Sequence, residues 1–93
     1  MIIELKPHKT LERIEQEYNL KFSNKELEEL AYATEETFRT LSINPIYEKA
    51  EEIGKKHGLD GKDLENFVAD VVLTCTYYYI NLHVVLNVFK IGG

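Results

Sequence analysis

From Val71 to Phe89 the chain runs for nineteen residues without a formally charged side chain, in a protein of only 93 residues. No other feature limits the fold as strongly. A stretch of that length is long enough to cross a bilayer as a helix, but Thr74, Thr76, Asn81, His83 and Asn87 place polar groups in it whose transfer into hydrocarbon is costly. A membrane span is therefore disfavoured, and in water the segment must be covered by protein.

Two arrangements compete for this stretch. Phe67, Val71, Cys75, Tyr78, Leu82, Val85 and Phe89 recur at steps of three and four, and no Gly or Pro falls between Gly61 and Gly92. That spacing predicts one continuous helix. Thr, Tyr, Val and Ile dominate the same residues, however, and these favour strands, so an α+β fold with a C-terminal β-hairpin turning near Asn81-Leu82-His83 is the alternative. Size adds a further constraint. A helix from Lys62 to Lys90 would be ~43 Å long at 1.5 Å per residue, whereas a compact domain of this length is ~32 Å across. Such a helix overhangs its own body, and an apolar overhang calls for a second chain.

Upstream, the pattern is helical throughout. From Pro7, suited to a first helical turn, Leu11, Ile14 and Tyr18 recur among charged residues; residues 2–5 before it, apolar but for Glu4, fit either a strand or an arm. Ser23 followed by Glu26 matches a capping box, which starts a second helix with Leu27, Leu30, Ala31, Thr34, Phe38 and Leu41 on one face. Asn44-Pro45 reads as an N-cap and first helical position, after which Ile46, Ala50, Ile53 and His57 share a face up to Gly58. Leu64, Phe67, Val68 and Val71 then resume the period, with Asp60 and Asp63 near the new N-terminus, where acids favour the helix dipole. The expected fold is all-α: a single domain over residues 1–93, four helices with a helix-turn-helix-like corner and a long apolar C-terminal helix.

With 44% hydrophobic and 29% charged residues, the chain has the composition of an ordered globular protein rather than a disordered tail. Sixteen acidic against eleven basic residues give a net charge of −5, which opposes binding to a phosphate backbone. Thirteen Glu, nine Lys and a single Gln form a bias found in proteins from hot environments. The first residues show no apolar run of signal-peptide length, so Met1 is the expected start of the mature chain. Cys75 is the lone cysteine, which points to a reducing compartment, by default the cytoplasm, and to a packed thiol rather than a nucleophile.

Chemistry finds little purchase in this sequence. His8, His57, His83 and Cys75 do not fall at metal-ligand spacings. A Gly-rich phosphate loop, a Ser-His-Asp signature and a paired-carboxylate motif are all missing, so an enzyme and a cofactor are not expected. Asp70 is the one carboxylate entering the apolar region, where it is either solvated at the core's edge or desolvated as an acid–base group would be. Tyr77-Tyr78-Tyr79 puts more aromatic surface on a helix than one face can bury, as interfaces do.

Ile53, Gly54, Gly58, Leu59, Leu64 and Phe67 resemble the helix-turn-helix motif: a small residue where two helices cross, glycine in the turn, then apolar anchors. The resemblance implies a second helix reading the major groove, with Lys55, Lys56, Lys62 and Asn66 as its candidate contacts. Asp60, Asp63 and Glu65 crowd the same positions and disfavour nucleic acid. The functional expectation is thus a small acidic interaction module, a homodimer that also offers a surface to other proteins. Val72, Tyr78, Leu82, Val85 and Phe89 are its expected interface, with a dimeric DNA-binding regulator as the alternative.

Overall fold

The computed structural model describes residues 9–92, with side chains to Tyr79. Four helices follow in order: α1 (Leu11–Tyr18), α2 (Asn24–Thr40), α3 (Asn44–Lys56) and α4 (Gly61–Gly92). No strand occurs among the described residues. The hairpin alternative gives way to one helix of 32 residues, about 48 Å long at 1.5 Å per residue. Burial of the three-and-four stripe outweighs the strand preference of Thr, Tyr and Val, which is a weak and context-dependent term. Segment 2–5 and Pro7 lie outside the described residues, as do the side chains of Leu82, Val85 and Phe89.

Helix ends follow local hydrogen bonding. α1 starts later than the Pro7 reading has it, because Thr10 is the cap and its Oγ1 accepts from the Arg13 N–H at 3.0 Å. At α2 the capping box is complete: Ser23 Oγ accepts from the Glu26 N–H at 3.1 Å, and Glu26 Oε1 from the Ser23 N–H at 2.8 Å. At α3 the expected cap is displaced by one residue. Asn44 is already helical and Ile43, which offers no side-chain oxygen, occupies the cap; Thr37 Oγ1 of α2 instead accepts from the Ile46 N–H at 3.0 Å. Gly58 (φ 87°) and Gly61 (φ 53°) take the left-handed conformations that turn α3 into α4.

The core is built round Phe67, Ile14, Leu30, Ile46 and Val71, each no more than 1% exposed. Phe67 meets Tyr18 edge-on at 5.4 Å and Phe22 at 6.1 Å. Phe22, just before α2, lies beside Phe67, and Phe38 near the end of α2 stacks on Tyr79 at 4.4 Å, so α2 and α4 run parallel. α3 runs opposite to both, its end held to the start of α2 by His57 and Glu26. Gly54 marks the closest approach of α3 to α4: a Cβ there would stand 2.6 Å from Leu64 Cδ1 and 2.9 Å from Phe67 Cδ1.

On α2 the buried face is rotated from the expected one. Glu26, Leu30, Thr34 and Thr37 point inward, whereas Leu27 and Ala31 are exposed and Leu41, expected in the core, is 91% exposed. Thr34 satisfies its own hydroxyl on the Leu30 carbonyl at 2.7 Å, and Thr37 is spent on capping α3. The molecule measures 46 × 31 × 23 Å, its long axis close to the length of α4.

Candidate interaction surface

α1 has eight residues against seventeen in α2, and it packs on α4 from Tyr18 beside Phe67 to Lys9 beside Thr74. Past that point an open groove of about 370 Å³ lies between α1, α2 and α4. Its walls are Leu11, Leu27, Leu30 and Ala31; Thr10, Thr34, Thr74, Cys75, Tyr78 and Tyr79 complete it. None of the lining residues is Asp, Glu, Lys, Arg or His, so the groove offers apolar contact and hydroxyls. Burial pushes the Cys75 thiol up to about 11, against a smaller opposing effect of the Thr34 hydroxyl. At neutral pH the thiol is protonated and contributes as an apolar group.

Of the residues expected at an interface, Val72 is 7% exposed and packs in the core of its own chain. It stands well round the helix from Tyr78, so one contact face cannot hold both. Tyr78 is 46% exposed at the rim of the groove. Leu82, Val85 and Phe89 carry on the register of Tyr78 along the backbone of α4. The three tyrosines divide as the sequence implies: Tyr79 stacks on Phe38, Tyr78 is open, and Tyr77 meets Tyr78 edge-on at 5.7 Å.

Below the groove, Lys9 ties α1 to α4. Its Nζ donates to Glu17 at 2.6 Å and to Asp70 at 3.0 Å, and the Tyr18 hydroxyl donates to Asp70 at 2.7 Å. Thr74 Oγ1, itself buried, donates to the Lys9 carbonyl at 2.7 Å. Glu17 and then Asp70 hold Lys9 above the ordinary lysine range; burial, then the bond to Asp70, pushes Tyr18 up to about 12. Asp70 is thus a paired carboxylate at the core's edge, and its partners are all structural.

A second polar cluster joins the start of α2 to the end of α3. Glu26 is 4% exposed, and His57 Nε2 lies 3.1 Å from both of its oxygens, with Lys56 Nζ at 4.0 Å. Burial alone would raise the Glu26 pKa, but the Ser23 N–H and the His57 ring more than offset it, and the net shift is downward. A carboxyl whose folded pKa is depressed stabilises the fold above its unfolded value near 4.5 and loses that contribution as pH falls through the folded value. Glu26→Gln is therefore expected to lose on the order of 1 kcal/mol at pH 7, with the difference from wild type shrinking at pH 3. Urea unfolding at both pH values measures it; an equal difference at the two would refute the assignment.

Lys55, Lys56, Lys62 and Asn66 are all exposed. They gather at the end of the molecule where α3 turns into α4, yet Lys55 is bonded to Glu51 at 3.0 Å and Lys56 faces Glu26. Tyr47, Glu51 and Lys55 of α3 line one shallow cleft with Val68, Leu64 and Gly61 of α4. The two helices therefore lie alongside one another for about two turns, as in a helical hairpin. Among the described residues no group of three or more His, Cys, Asp or Glu could hold a metal ion, and no helix is long and apolar enough to cross a membrane. No family model, curated protein or solved structure matches this chain.

Proposed function

We propose that the chain is an interaction module that self-associates through the C-terminal part of α4, acting by binding and without chemistry of its own. One observation carries this reading: the stripe of α4 that forms the core continues, in register, beyond the helices that cover it. Phe67 and Val71 are fully buried, Cys75 is half-buried and Tyr78 is 46% exposed. α2 ends at Thr40, two residues after the Phe38 ring that stacks on Tyr79, while α4 runs on to Gly92. About 16 Å of helix thus outruns α2, and its residues include Leu82, Val84, Val85, Leu86, Val88, Phe89 and Ile91. A partner that removes this surface from water gains ~25 cal/mol per Å². A reducing compartment such as the cytoplasm, where Cys75 stays a thiol, suits the module.

Light scattering on the size-separated protein tests the reading. Wild type is expected at twice the chain mass of 10.8 kDa, and Leu82→Asp at the chain mass with its helical circular dichroism retained. Because the association is apolar, raising the salt concentration should leave the dimer intact. A wild-type monomer at high protein concentration would sink the proposal.

A further inference from the structure

From Val71 onward the stripe Val71, Cys75, Tyr78, Leu82, Val85, Phe89 advances by four, three, four, three and four residues. The series reads the same in both directions about Ile80. Two copies of α4 laid antiparallel with a two-fold axis at Ile80 therefore bring Tyr78 level with Leu82 of the second copy. The same operation sets Cys75 against Val85, while Phe89 reaches the level of Val71, which its own chain already buries. These are the alternating layers of an antiparallel helix pair, and the same patch serves both partners, as a two-fold interface demands.

We infer that the occupant of the groove between α1, α2 and α4 is the α4 end of a second copy, exchanged reciprocally across this axis. The inference rests on the self-association proposed above and adds its direction, register and acceptor site. Three observations select this occupant. The groove opens where the stripe becomes exposed, at Cys75 and Tyr78, and its other wall is the outward Leu27 and Ala31 of α2. It is apolar, as is the projecting end, which carries no formal charge before Lys90. A parallel pair would set Lys90 beside Lys90, like charge on like, whereas the antiparallel pair keeps the two Lys90 residues at opposite ends. Each copy then contributes Leu82, Val85 and Phe89 with the 46% of Tyr78 that its own chain leaves exposed. With the groove walls, the buried area approaches the ~800 Å² per partner of a stable complex.

Disulfide trapping with the native thiol tests the register. The variant Val85→Cys is expected to give a covalent dimer under mild oxidation, because position 85 lies against Cys75 of the second copy. Wild type should not cross-link, nor should Val85→Cys combined with Cys75→Ala, since like positions are ten residues, ~15 Å, apart in level, beyond disulfide reach. A wild-type dimer by mass that cross-links through Cys75 alone, or through position 85 in the Cys75→Ala background, overturns the antiparallel register and leaves self-association standing. Absence of the Cys75–position 85 link in a proven dimer overturns it equally, whatever else fills the groove. A wild-type monomer overturns both proposals. Should Val85→Cys disturb the dimer, a spin label on Lys90→Cys in the Cys75→Ala background reads the same geometry: the antiparallel pair separates the labels by ~30 Å, the parallel one by about a helix diameter.

Discussion

Phe67→Ala is expected to cost the fold about 3–5 kcal/mol, the usual loss when a buried aromatic is truncated and the cavity cannot close. Phe67 is 0% exposed and touches three separate parts of the chain: Tyr18 of α1, Phe22 ahead of α2, and the Gly54 turn of α3. Tyr18 and Gly54 cannot move into the space without displacing their helices, and Phe22 is held by its N–H bond to Glu15 Oε2 at 2.8 Å. Since domains of this size have only ~5–15 kcal/mol in hand, the variant should melt far below wild type or fail to fold. Thermal and urea unfolding followed by circular dichroism measure the loss. A cost under 1 kcal/mol would mean that Phe67 is not the residue on which the helices converge.

Gly54→Val addresses the same junction from the other side. A Cβ at position 54 would stand 2.6 Å from Leu64 Cδ1 and 2.9 and 3.2 Å from Phe67 Cδ1 and Cε1. Leu64 can rotate away, but the Phe67 ring is fixed by full burial, so α3 must lift from α4. Overpacking of this kind costs about 1–3 kcal/mol. Gly54→Ala is the sharper comparison, because alanine gains up to about 1 kcal/mol in helix propensity over glycine. Its net loss should therefore be smaller than that of Gly54→Val, and an Ala variant more stable than wild type would show that the two helices have room to separate.

Much of this arrangement is legible in the sequence, for physical reasons that differ by element. Ser23 and Glu26 announce the start of α2 because a capping box satisfies two orphan N–H groups locally, with no reference to the rest of the fold. Gly54 and Gly58 likewise mark a close approach and a left-handed turn. The long C-terminal helix is legible from the three-and-four stripe, although its composition argues for strands. What periodicity alone does not fix is the rotation of a helix about its axis. α2 turns Glu26 and Thr37 inward, since one pairs with His57 and the other caps α3, and this turns Leu27 and Ala31 out into the groove. Both partnerships join residues of different helices, and nothing in the local sequence of α2 reports them. Val72 is the corresponding case on α4: its apolar character suits an interface with Tyr78, while its position round the helix sends it into the core.

The bond from Thr74 to the Lys9 carbonyl spans 65 positions of the chain, and the first helix packs on the last one without packing on the second. α2 and α3, joined by a three-residue link, can pair early by closing a short loop; α1 has nothing to dock on until the final helix is formed. A chain made from its amino-terminal side onward on the ribosome therefore keeps α1 waiting, with Ile14 and Tyr18 uncovered, until α4 has emerged.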